Sequence, residues 1–295
     1  MKLSATTGHL VPKHFSDEEA IRIMARIGFD ALDYGFINHD MHTGHYAQDS
    51  YQDYARHIRQ VADQWGIAIG QTHANFPTYT ENPEEDAYRL ALCQKEVIAT
   101  SLLGCQYMIV HPAIPRKCVY DRFRDEAKEI NMAFYKALQP YAEEYDVKIC
   151  IENMFSADPE TGKICPTVCS EASEIVDYIE TLDSDRFVAC LDVGHSHVLG
   201  RSIPDEIRVL GSHLKALHIQ DNNGVNDGHV SPFLHPQLAG IQWEPVCKAL
   251  KEVGYAGTFN FETDSFMAAY PTELAADALT LLEKVGRYLI RMCQL

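Results

Sequence analysis

The sequence lacks the apolar run of roughly 20 residues that a bilayer-spanning helix needs. Its first residues, Met1-Lys2-Leu3-Ser4-Ala5-Thr6, contain no long apolar core of the signal-peptide kind. A membrane is therefore not expected as a partner, and a cytoplasmic location is. Positive charge is also scarce: 25 Lys and Arg stand against 42 Asp and Glu, a formal net charge of −17. No window is rich in Lys or Arg. Such a field repels polyanions, so nucleic acid is not expected to bind. A disulfide framework is missing too. The 9 cysteines are odd in number and scattered, which suits a reduced chain. Cys165 and Cys169 form one close pair, but without a second pair they read as loop packing rather than a zinc site. Nor is there a composition break or low-complexity linker, so residues 1–295 are expected to form a single domain.

What is present is an alternation. Strand-like apolar runs cover Leu3–Thr7, Ala31–Phe36, Ile67–Thr72, Tyr107–Val110, Val147–Ile151, the stretch from Phe187, Leu214–Gln220 and Thr258–Phe261. Helical segments follow them. The first opens on the capping box Ser16-Asp17-Glu18-Glu19 and stops at Gly28. The next spans Tyr51 to Trp65, and later ones cover about Pro83–Leu103, Arg122–Tyr145, Glu171–Leu182, Pro204–Leu210 and Trp243–Val253. The last runs from Thr272 towards Leu295. Crossover helices return the chain to the same edge, which makes the strands parallel. Eight such units close an α/β barrel, the (β/α)8 or TIM barrel. An open doubly wound sheet would carry a Gly-rich phosphate turn after its first strand. Here that turn is Gly8-His9-Leu10-Val11-Pro12, which does not match.

In a parallel barrel the C-terminal strand ends share one mouth, where catalytic residues gather. Six consecutive predicted strands end in His73, His111, Glu152, Asp192, His218 and Glu262. His195 lies three residues beyond Asp192, and Asp227-Gly228-His229 lies in the loop after the seventh strand. Several carboxylates at one mouth repel each other unless a cation sits between them. A mixed carboxylate and imidazole set suits Mn²⁺, Zn²⁺, Fe²⁺ or Co²⁺ better than Ca²⁺. His39, His42 and His45 read as a solvated loop. His9, Phe36, Tyr46, Phe76, Phe155 and Phe233 are candidates to contact a substrate ring.

Ile151-Glu152-Asn153, Leu191-Asp192-Val193-Gly194-His195, Leu217-His218-Ile219-Gln220-Asp221-Asn222 and Asn260-Phe261-Glu262 resemble the strand-end motifs of the xylose isomerase-like barrel superfamily. The resemblance covers nearly the whole chain and is most specific from Ile149 to Asp264. The superfamily holds sugar and sugar phosphate isomerases and epimerases, inosose-processing enzymes and endonuclease IV. Carried over from its ketose 3-epimerases, the resemblance implies one divalent metal on Glu152, Asp192, His218 and Glu262. It implies a substrate contact at His195. The Arg that those epimerases carry shortly after the strand-seven His is absent; Asn222-Asn223-Gly224-Val225 stands there. Resemblance to endonuclease IV implies further zinc ligands at His73, His111, His195, Asp227 and His229, up to three metals in all. That enzyme has a basic residue where this chain has Gly228.

The expected activity is that of a metal-dependent isomerase or epimerase of a small sugar, sugar phosphate or cyclitol. Glu152 and Glu262 would carry the proton, through an enediolate stabilised by the metal. His73, His111, His195 and His229 are expected to bind substrate. The alternatives are a multi-zinc phosphodiesterase of the endonuclease IV kind and a lyase or dehydratase using the same enolisation. A metal or sugar sensor is a third class, disfavoured because no DNA-reading or docking module is attached. A homo-oligomer remains open.

Overall fold

The computed structural model describes residues 1–115, 120–158, 160–235 and 240–294. Leu295, towards which the last helix is expected to run, lies outside them. Strands β1 (Lys2–Ala5), β2 (Ala31–Gly35), β3 (Ala68–His73), β4 (Tyr107–Val110) and β5 (Lys148–Glu152) come first. A short hairpin, β6 (Phe155–Ala157) and β7 (Ile164–Pro166), follows. Then come β8 (Phe187–Asp192), β9 (Leu214–His218) and β10 (Thr258–Phe261). Six strands pair in parallel in the order β2-β3-β4-β5-β8-β9, and β1 pairs in parallel with β10. Single bridges, Thr6 to Asp33 and Ile219 to Phe261, join the two sheets at both edges. The ring of eight strands is thereby closed, as the alternation predicts.

Helices α1 (Asp17–Ile27), α2 (Tyr51–Trp65), α3 (Pro83–Leu102), α4 (Arg124–Glu144) and α5 (Ala172–Leu182) pack outside. So do α7 (Ile203–Leu210), α8 (Trp243–Glu252) and α10 (Ala275–Gln294), while α6 (Val193–Val198) and α9 (Asp264–Ala268) are short turns at the mouth. The capping box forms: Ser16 Oγ accepts from Glu19 N, and the Glu19 carboxylate accepts from Ser16 N at 3.0 Å. Gly28 ends α1 at φ +111°, a conformation that favours glycine.

Two layers of apolar side chains result. The larger lies between strands and helices. The smaller fills the barrel interior with Ile109, Cys150, Val188, Cys190 and Ala216. A buried polar layer of Asp33, Gln71, Thr258 and Asn260 shares the interior. Asp33 Oδ2 accepts from Gln71 Nε2 at 3.1 Å and Asn260 Nδ2 at 2.9 Å, and the Thr258 hydroxyl donates to Gln71. No helix among the described residues is long and apolar enough to cross a membrane.

Two local features go beyond the simple alternation. The long loop after β5 contains the β6–β7 hairpin. Asp192-Val193-Gly194-His195 is not a strand running into a loop, because Asp192 Oδ1 accepts from Gly194 N at 2.7 Å and His195 N at 2.9 Å. These bonds make Asp192 the N-cap of α6.

Candidate metal centre

His73, Glu152, Asp192 and His218 are the last residues of β3, β5, β8 and β9, and His111 and Glu262 stand one residue beyond β4 and β10. The parallel ladder thus delivers all six to one end. The α6 turn brings His195 back over the same end. Asp227 and His229 arrive on the loop after β9, which folds back through paired backbone bonds between Asp221 and Val230, 2.9 and 3.1 Å.

Histidine protons decide what these neighbours can do. Nδ1 of His73 lies 2.8 Å from the Ala74 carbonyl, that of His195 2.7 Å from the Asn153 carbonyl, and that of His229 3.0 Å from the Glu262 carbonyl. A carbonyl only accepts, so each Nδ1 carries a proton. In the neutral ring each Nε2 then bears a lone pair. His73 turns its Nε2 to Glu152 Oε2 at 3.6 Å, and His195 and His229 turn theirs to Asp227 Oδ2 at 3.6 and 2.8 Å. A lone pair facing a carboxylate is repulsive unless a proton or a metal cation lies between them.

Glu152 is the most crowded of these groups. Its Oε1 lies 2.8 Å from His218 Nδ1, and its Oε2 lies 3.1 Å from His111 Nε2. Glu262 Oε2 approaches the same His218 Nδ1 at 3.1 Å. One nitrogen cannot give a full hydrogen bond to two carboxylates, and Glu152 Oε2 is buried with no hydrogen bond of good geometry. Three groups have ligand atoms within 4.8 Å of one another: His73, Glu152 and His218; Glu152, Asp192, His218 and Glu262; and Asp192, His195 and His229. The donor set and the unpartnered Glu152 oxygen both fit a divalent metal.

The electrostatics agree. Burial opposes the charge on Glu152, yet His218 and His111 hold its carboxyl well below the ordinary value. Burial likewise opposes the charge on Glu262, and His218 and His229 outweigh it. Asp192 goes the other way: burial pushes it up to about 6 against the pull of His195 and His229. His195 is buried, but Asp192, Asp227 and Glu152 push it up to about 10. Burial lowers His111.

All nine predicted mouth residues therefore meet. The aromatic candidates divide. Phe76 stacks on His111 with centroids 4.5 Å apart, and Phe155 meets His195 edge-on at 5.0 Å. Phe36 and Tyr46 are 0% and 1% exposed and pack on Tyr34, so they belong to the core rather than to a substrate wall. Phe233 packs against Tyr288 of α10. His39 is not simply solvated; its Nε2 lies 3.2 Å from the buried Asp17. Cys165 and Cys169 join no metal-ligand group among the described residues. A cavity of about 450 Å³ opens beside Glu262 and His73, lined also by His9, Asn38, Phe76 and Asp264.

Two supporting residues escaped the sequence reading although both lie inside quoted motifs. Asn153 Nδ2 donates to the Asp192 carbonyl at 2.9 Å, and its Oδ1 accepts from Asp192 N at 2.6 Å. Gln220 Nε2 donates to Asp227 Oδ1 at 2.6 Å, and its Oε1 accepts from His229 N at 3.0 Å. The available signal was an amide just past a strand end, Asn153 directly after Glu152 and Gln220 two residues after His218.

The sequence profile of the xylose isomerase-like TIM barrel matches residues 21–285. The chain belongs to this family. Among its relatives, the inosose isomerase of Bacillus licheniformis is 23% identical over 72% of this chain and 76% of its own length. The probable endonuclease 4 of Mycoplasmopsis synoviae is 24% identical over 60% of this chain and 62% of its own. Among solved structures, a D-psicose 3-epimerase in the presence of D-fructose superposes with a TM-score of 0.74 at 14% identity, covering 98% of this chain and 99% of that one. The IOLI protein with a binding zinc atom gives a TM-score of 0.72 at 16% identity, covering 98% of both chains.

Proposed function

We propose that this chain is a divalent-metal-dependent isomerase or epimerase of a small sugar or cyclitol. The observation that carries the reading is the convergence of Glu152, Asp192, His218 and Glu262 on one buried point, with Glu152 Oε2 left unpartnered. The names of its relatives, inosose isomerase and D-psicose 3-epimerase, point the same way. A divalent metal held by those four residues would supply Lewis-acid polarisation of an α-hydroxy carbonyl and acidify the neighbouring C–H.

The protein's own groups do the rest. Glu152 and Glu262 approach from β5 and β10, with β8 and β9 between them around the ring. One takes the proton from carbon and the other returns it, to the same carbon for epimerisation or to its neighbour for isomerisation. Such transfer is worth about 10²–10⁴-fold in rate. His195, its ring fixed by the Nδ1 bond to the Asn153 carbonyl, turns Nε2 into the site and hydrogen-bonds a substrate oxygen. His73, His111 and His229 line the approach and orient hydroxyls, while Phe76 covers the mouth and limits water.

The test is a turnover screen of sugars and cyclitols with added Mn²⁺, Zn²⁺ or Co²⁺, reading deuterium uptake from solvent at the reacting carbon. Chelation, Glu152→Gln and Glu262→Gln should each abolish turnover. Unchanged turnover in either variant overturns the acid–base assignment, and full retention of substrate hydrogen replaces it with a hydride shift. Product analysis in the same screen separates a lyase or dehydratase.

A second reading is favoured by the two flanking groups, His73 and His111 on Glu152, and His195 and His229 on Asp227. In it these histidines are ligands of two further metals, and the chain is a phosphodiesterase like its endonuclease relatives. Elemental analysis discriminates: one metal per chain supports the first reading and three the second.

A further inference from the structure

His218 has two ring nitrogens, and only one faces the candidate metal position. Nδ1 points at Glu152 and Glu262. Nε2 is buried, has no hydrogen-bond partner, and lies 3.6 Å from Oδ2 of Asp33 on β2. Asp33 is itself buried. Its Oδ2 is held by the Gln71 and Asn260 amides, and its Oδ1 has no partner. Among the described residues, the only cationic or imidazole group within 4.0 Å of Asp33 is His218.

A carboxylate is kept inside a barrel against a large desolvation penalty, so its retention needs a reason. Two amides hold Oδ2 and leave Oδ1 without a donor. The remaining polar hydrogen that can face this carboxylate is the Nε2–H of His218, 3.6 Å from Oδ2. A proton on Nε2 also leaves the lone pair of the neutral ring on Nδ1, where Glu152 and Glu262 converge. Carboxylate–imidazole–metal relays work in this way: the outer acid fixes the tautomer and makes the ring a stronger donor.

We infer that Asp33 is a positioning residue for His218, holding the Nε2–H tautomer and strengthening Nδ1 as a ligand. The inference rests on the reading of His218 as a metal ligand. The polar layer of Gln71, Thr258 and Asn260 then has a task of its own. It keeps the Asp33 carboxylate aimed from beneath at a ring it does not otherwise touch.

The experiment titrates the metal-free full-length chain with Co²⁺, followed by visible absorption, and with Zn²⁺ in competition. Asp33→Asn keeps the shape and removes the charge. It should weaken metal affinity about 10- to 100-fold, while the melting temperature of the metal-free protein stays the same or rises. Affinity within threefold of the parent overturns the inference. So does a loss of affinity matched by a lowered melting temperature of the metal-free chain, which marks a structural role. A measurement on the parent covers the case in which the variant does not fold. Nitrogen-15 spectra of the metal-loaded protein should show His218 protonated at Nε2 and coordinating through Nδ1, and the reverse assignment overturns the inference. A parent that binds no divalent metal refutes the metal-dependent reading and this inference together. A parent that binds metal beside an unaltered Asp33→Asn variant refutes only the role of Asp33.

Discussion

Gly194 and Gln220 offer a test of how the mouth is built. Gly194 sits in α6 immediately before His195, and a methyl group at its Cα would overlap the Gln220 carboxamide. In most settings a glutamine would swing aside. This one is buried, its Nε2 bonds Asp227 at 2.6 Å, and its Oε1 holds His229 N at 3.0 Å. Gly194→Ala therefore forces either overlap, at about 1–3 kcal/mol, or loss of the bond to a charged group, at about 1.5–3 kcal/mol. Better helix propensity returns about 1 kcal/mol. The net cost should be about 0.5–2 kcal/mol on these terms. Gln220→Ala alone removes the Asp227 bond and leaves His229 N unpartnered, again about 2–4 kcal/mol. In the double variant the new methyl enters the vacated space, so the combined cost should fall short of the sum by more than about 1 kcal/mol. Urea unfolding of the metal-free chains, followed by circular dichroism, measures all three. Additivity within about 0.5 kcal/mol would refute the reasoning. An unperturbed Gly194→Ala would do so more directly.

Two further outcomes are expected. Glu96 of α3 is fully buried beneath the His73 loop, and its carboxylate accepts from Asn75 Nδ2 at 2.6 Å and Asn75 N at 3.3 Å. Burial pushes its pKa from 4.5 up to about 7. A raised carboxyl contributes stability that is complete below its unfolded value and is lost as pH climbs to the folded one. The parent should thus lose about 3 kcal/mol between pH 4.5 and pH 7 that Glu96→Gln, which cannot ionise, does not lose. Unfolding free energies of both proteins at pH 5 and pH 8 check this, and parallel pH profiles would contradict it. Phe76 is 40% exposed over His111, so Phe76→Ala should leave stability and metal affinity nearly unchanged. It should raise KM about 3- to 10-fold through the lost aromatic contact, with kcat preserved. A fall in kcat at constant KM would instead mean that Phe76 acts by holding the His111 ring.

The barrel and its ring of strand-end acids and histidines were legible because both obey local rules. Alternating apolar runs and amphipathic helices announce parallel strands. Parallel strands bring their last residues together whatever the loops do. His73, His111, Glu152, Asp192, His218 and Glu262 could therefore be named from position alone, and the α1 capping box from a spacing of three residues. The aromatic candidates had no such rule. Phe36, Tyr46 and Phe76 all follow strand ends in the sequence, yet only Phe76 faces the cavity. Tyr34 and Tyr46 are linked hydroxyl to hydroxyl at 3.0 Å, and Phe36 packs beside them. That cluster takes two of the three rings into the core.

Chain order alone was enough for the closed ring of strands, the end where the acids and imidazoles gather and the six strand-end residues that meet there; the narrower set of four candidate ligands came from the family resemblance. Folding was needed to reveal which atom of each mouth side chain faces inward. Carbonyls of Ala74, Asn153 and Glu262 pin three histidines by Nδ1, and two of those three bonds span 42 and 33 residues. Asp33 meets Asn260 across 227 residues. No spacing rule reaches across such separations. Hydrogen bonds select a proton position only when donor and acceptor lie within about 3 Å, and closure of the barrel is what brings these distant groups that near.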